Sequence, residues 1–118
     1  MKNQIRMFAL AVLATAWAAG CASAPPPEAK LASSAAAIRA AQELRATEEP
    51  TAQLRLQYAK DEYAEAQRAM AAGDNERAER YFSRSEADAE LAVAIAKQVR
   101  SERAFAAAQA EVAKVNSK

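Results

Sequence analysis

Apolar side chains recur every three to four residues along most of this chain, the spacing of a helix face. In residues 30–46 the stripe is Leu31, Ala35, Ile38, Ala41 and then Leu44 or Arg45. In residues 51–72 it is Ala52, Leu56, Ala59, Tyr63, Ala66 and Met70, a 3.5-residue repeat that suits a coiled-coil-like pair. From Asn75 to about Lys114 neither proline nor glycine intervenes. Ala78, Phe82, Ser85, Ala89, Ala92, Ala96 and Val99 carry the stripe there, and it shifts beyond residue 100 to Phe105, Ala108, Val112 and Val115. Three helices are predicted.

Two breaks separate them. Pro50 cannot continue a helix but fits the first turn of a new one, and Glu48 and Glu49 favour a helix N-terminus. Gly73 suits a left-handed helix end and Asp74 caps the next helix, so a tight reversal is predicted there. The expected fold is all-α: a long antiparallel hairpin with its apex at Gly73–Asp74 and a first arm kinked or broken near Pro50. The alternative is a three-helix bundle in which the end of the third helix projects freely.

Composition narrows how such helices hold together. Thirty-five of the 118 residues are alanine, the best helix former but one that buries little area. After residue 20 only seventeen larger apolar side chains remain, each contributing roughly 1.5–3 kcal/mol when fully buried. That is a thin core, so contact with a partner or with a second copy is expected. Alanine along the seams lets helices approach near the short end of the usual range. Glu76 with Arg80 and Glu111 with Lys114 are spaced for weak ion pairs on solvated faces.

The first residues have a different pattern. Lys2 and Arg6 precede an uncharged run at 7–17, then Ala18, Ala19 and Gly20. A charged start, a short apolar stretch and small residues describe a signal peptide. The run is too short for a membrane-crossing helix. The single cysteine, Cys21, stands directly behind it. The sequence Ala18-Ala19-Gly20-Cys21 resembles the lipobox of bacterial lipoproteins. That resemblance implies a diacylglycerol thioether on Cys21 and cleavage between Gly20 and Cys21. Ala22, rather than an aspartate, implies the outer membrane. The expected divisions are a signal peptide at 1–20, a lipidated cysteine and proline-rich spacer at 21–29, and a helical domain at 30–118. Pro25, Pro26 and Pro27 are expected to form a stiff polyproline-II spacer that lifts the domain off the headgroups.

Little in the remainder carries chemistry. Without Lys2 and Arg6, fourteen Lys and Arg face fifteen Asp and Glu, a net charge of −1, so nucleic-acid binding is not expected. The chain has no histidine, and acylation of Cys21 leaves no thiol, so neither metal nor cofactor is expected. Asp61 with Glu65 and Glu86 with Glu90 lie one turn apart and read as solvated acids. No nucleophile stands beside a base, so no enzyme is expected. Tyr58, Tyr63, Tyr81 and Phe82 flank the turn and form a candidate interaction surface, although aromatics at helical spacing are commonly core.

The turn, Gly73-Asp74 with Ala78, resembles one tetratricopeptide-style hairpin, but a single repeat builds no solenoid. The "SAAAIRAAQE" helix, the A-x-G-D turn and "SEADAELAVAIAK" at 85–97 resemble the small alanine-rich bacterial lipoproteins of the domain-of-unknown-function 4398 family. That resemblance implies an envelope lipoprotein and carries no catalytic residue. The expected function is a non-catalytic interaction or scaffold module, lipid-anchored at the periplasmic face of the outer membrane. Its partner would be an envelope protein or another copy. The alternative comes from a resemblance to the murein lipoprotein, whose terminal lysine is joined to peptidoglycan: a structural tether through Lys118.

Overall fold

A computed structural model describes residues 24–117. Gly20, Cys21, the rest of the expected signal peptide at 1–20 and Lys118 therefore lie outside the described residues. Three α-helices succeed one another: α1 (Glu28–Glu43), α2 (Pro50–Ala71) and α3 (Asn75–Asn116). A short 3-10 turn, Ala46–Glu48, links the first two.

The α2–α3 hairpin turns at Gly73–Asp74, and its hydrogen bonds explain why. Asp74 N–H donates to Ala69 O and Gly73 N–H to Met70 O, both at 3.0 Å. This pair of bonds is the Schellman ending, which needs a left-handed residue, and Gly73 supplies it at φ 79°. The Asp74 carboxylate then accepts from Arg77 N–H at 3.1 Å and caps α3. A Cβ at Gly73 would meet open space, so only the backbone resists substitution. Gly73→Ala is expected to lower unfolding free energy by about 1 kcal/mol, measurable by urea titration.

At the other end the chain reverses rather than kinks. Arg45 takes a left-handed conformation at φ 56° and ends α1, and Glu49 caps α2 by accepting from Ala52 N–H at 2.6 Å, with Pro50 at the first helical position. The broken first arm therefore folds back on itself. Leu31 packs with Ala69, Ala78 and Phe82 near the apex, whereas Ile38 and Ala41 pack with Leu56 and Ala92 at the opposite end. So α1 runs antiparallel to α2 and parallel to α3. The hairpin is present with its first arm broken, and the three-helix alternative is how the broken piece is accommodated.

Small residues set the spacing. Ala41, Ala52, Ala59, Ala66, Ala78, Ala89 and Ala92 are fully buried, and Phe82 and Leu56 are the largest completely buried side chains. Ser85 fits the same seam because its hydroxyl donates to Ala59 O on α2 at 2.7 Å. Ser34, also buried, satisfies its hydroxyl on Lys30 O at 2.7 Å within its own helix. The predicted stripe faces the core in α2 and, from Ala78 to Ala92, in α3, with Ala96 and Val99 half-covered; its shifted continuation, Phe105, Ala108, Val112 and Val115, is exposed because α1 and α2 do not extend that far. In α2, Ala69 is buried while Tyr63 and Met70 are half-covered.

Ala24, just ahead of the prolines, is held against the bundle. Asn75 donates its side-chain amide to Ala24 O. Pro27 sits at ψ 58°, away from the polyproline-II value, and α1 begins at Glu28 immediately after it. The bundle thus holds its own entry segment against the first residue of α3.

Candidate functional site

Two kinds of surface feature remain once the core is subtracted: a polar network on the bundle and a bare length of α3.

The network joins helices through arginine and lysine. Lys30 on α1 pairs with Glu86 on α3 at 2.9 Å, Arg55 on α2 with Asp88 at 3.1 Å, and Arg84 on α3 with Glu62 on α2 at 2.9 Å. The Lys30 ammonium, helped by the Ser33 hydroxyl, holds the Glu86 carboxyl below the usual carboxylate range. Glu62 behaves oppositely. Burial pushes its carboxyl up, Arg84 pulls it partly back, and neighbouring Asp88 adds to the rise. One Glu62 oxygen, Oε2, is buried without a hydrogen-bond donor.

A raised carboxyl pKa means that ionised Glu62 weakens the fold at neutral pH and that protonation relieves this on acidification. Glu62→Gln is therefore expected to raise the melting temperature at pH 7 and to give no gain near pH 4. Thermal melts at the two pH values check it.

The four aromatic residues do not form one surface. Phe82 is fully buried and meets Tyr63 edge-on, with ring centroids 5.3 Å apart. Both belong to the bundle core near the apex. Tyr81 lies between the Arg77 and Arg84 guanidiniums, 5.6 and 5.5 Å from its ring centroid. Tyr58 is exposed, with Arg55 at 5.9 Å. The quartet is thus a buried Phe82, with Tyr63 and Tyr81 half-covered against the same core cluster, and an exposed Tyr58 apart from them. Phe82 cannot be part of a recognition surface in this fold.

The predicted surface pairs form, Glu76–Arg80 at 3.9 Å and Glu111–Lys114 at 3.4 Å. Of the carboxylates flagged by spacing, Asp61 accepts from Gln57 and Glu65 pairs with Arg68 within α2, whereas Glu86 pairs with Lys30 across to α1. Among the described residues no cluster of three metal-ligating side chains occurs, and no helix is long and apolar enough to cross a membrane.

The bare length of α3 is the larger feature. Its 42 residues extend about 63 Å. Contact with α1 and α2 ends near Val99, and every residue from Arg100 to Ser117 is exposed. Phe105, Val112 and Val115 are 66%, 60% and 67% exposed on this arm. A helix that is polar all round needs no partner, but this one carries an apolar stripe and meets nothing.

These features define an alanine-rich three-helix bundle with a projecting helical arm. The chain belongs to the family described as "Domain of unknown function (DUF4398)", whose match covers residues 29–108, all three helices and the first part of the arm. No curated protein and no solved structure matches the chain.

Proposed function

We propose that this chain is an outer-membrane-anchored periplasmic lipoprotein that acts as a non-catalytic helical interaction module of the cell envelope. The observation that carries the reading is the arm of α3 beyond residue 99, exposed on every side yet striped with Phe105, Val112 and Val115. The lipobox-like Ala18-Ala19-Gly20-Cys21 supports the anchor.

The two ends fit together in one geometry. Ala24 is held at the Gly73–Asp74 end of the bundle by Asn75. It lies three positions after Cys21, with only Ala22 and Ser23 between, a reach of at most about 11 Å. A lipid on Cys21 would therefore seat the apex close to the membrane. The arm, at the other end of α3, would stand on the order of 60 Å away, toward its binding partner. Tyr58, Tyr81 and their arginines would face sideways as secondary contacts.

In-cell crosslinking of the full chain, with and without lysozyme digestion of the envelope, tests the reading. The expected result is crosslinked bands that do not depend on lysozyme, their partner named by mass. A band released only by lysozyme, without crosslinker and lost on deletion of Lys118, would replace it with the peptidoglycan tether.

A further inference from the structure

The apolar stripe of the arm does not begin at Phe105. Counting back in alternating steps of three and four from Val115 gives Val112, Ala108, Phe105, Ser101, Gln98, Ala94 and Leu91, and all eight are exposed. Leu91 is 41% exposed although the bundle covers Ala92 beside it completely. Two seams therefore run along residues 91–99. One, through Ala92, Ala96 and Val99, faces α1 and α2. The other, starting at Leu91, points away from them and continues for about three and a half heptads, the length at which a heptad pattern signals a coiled coil. Leu91, Gln98, Phe105 and Val112 occupy its a positions, and Ala94, Ser101, Ala108 and Val115 its d positions.

We propose that the occupant of this seam is a second copy of the chain, running parallel to the first. The polar layers choose it. In a parallel pair each a or d residue meets itself, so Gln98 amide meets Gln98 amide and Ser101 meets Ser101. An antiparallel overlap places Gln98 against Ala108 and Ser101 against Phe105, polar groups on apolar ones. The edges agree. Lys97 at a g position faces Glu102 at the e position of the other copy, and symmetry makes this pair twice. The remaining facing edge pairs, Glu90 with Ile95, Ala104 with Gln109 and Glu111 with Asn116, carry no like charges. The antiparallel overlap gains Lys97 against Glu111 but sets Glu102 on Glu102. Glu102 and Lys97 are both exposed, and Glu102 is already oriented by Gln98 Nε2 of its own helix at 2.9 Å. The inference deepens the interaction reading and rests on it, and anchoring of both copies at Cys21 would impose the same direction.

Single cysteines in the full chain, in cells under mild oxidation, test it. Val112→Cys is expected to give a disulfide dimer containing only this chain, and Ala113→Cys, a turn of about 100° away, to give none. In the Val112→Cys background, Lys97→Glu is expected to lower the dimer fraction roughly fivefold, and adding Glu102→Lys to restore it. That rescue belongs to the parallel pairing alone. Equal disulfide at 112 and 113, failure of the charge exchange to rescue, or a photocrosslinker at Phe105 that captures a different protein would each overturn the dimer. Membrane fractionation of the same cells reads the anchor separately: a chain that stays membrane-bound without dimerising loses this inference and keeps its localisation.

Discussion

Phe82→Ala is expected to cost about 3–5 kcal/mol, the largest stability loss available to a single truncation in this bundle. Phe82 is completely buried between helices whose other contacts are mostly alanine and serine. Removing its ring leaves a hole that neighbouring methyl groups cannot collapse to fill, and Tyr63 loses the edge it packs against. Domains of this size have stabilities of roughly 5–15 kcal/mol, so a large share goes with one side chain. The melting temperature should fall by more than about 10 °C, as read by circular dichroism. Leu54→Ala is the control: Leu54 is half exposed, and its loss should shift stability by less than about 0.5 kcal/mol. Equal effects at the two positions would mean that Phe82 is not the centre of the core.

Cys21→Ser is expected to move the chain from the membrane to the soluble periplasmic fraction. A serine hydroxyl is a far weaker nucleophile than a thiolate, so no thioether forms. The acyl chains are the whole of the proposed attachment; among the described residues no helix is long and apolar enough to cross a membrane. Each buried CH₂ contributes about 0.8 kcal/mol, so two or three chains hold firmly where none does not. Fractionation and immunoblotting read the change. Unaltered membrane retention of Cys21→Ser would remove the lipid from the account.

The elements were readable from sequence where a residue has one structural use. Gly73 stands where the backbone must be left-handed, and Asp74 where an N-cap is needed, so the hairpin was placed to the residue. The α3 stripe from Ala78 to Ala92 was readable because alanine and Phe82 keep their spacing without interruption. The reversal before α2 was not, because Arg45 adopts a left-handed conformation that glycine normally announces. Proline at position 50 signalled a break but not its angle. The docking of Ala24 on Asn75 depends on that angle and was hidden with it.

The candidate surface was only partly legible for a related reason. Periodicity assigns a face to Tyr58, Tyr63, Tyr81 and Phe82 but does not say which face a neighbouring helix covers. With α1 folded back, Phe82 goes fully inward, Tyr63 and Tyr81 are half-covered beside it, and Tyr58 stays outside. The same uncertainty hid the start of the second seam. Residues 91–99 carry both stripes at once, and Leu91 and Ala94 separate from Ala92 and Ala96 only when the position of α1 and α2 is known.

In the proposed orientation the Gly73–Asp74 end lies at the membrane and the arm far from it. Fluorophores attached at Ala72 or at Val115, in the full lipidated chain reconstituted into vesicles that contain a headgroup quencher, measure this directly. Strong quenching at position 72 and little at 115 is the predicted result. Equal quenching, or stronger quenching at 115, would contradict it.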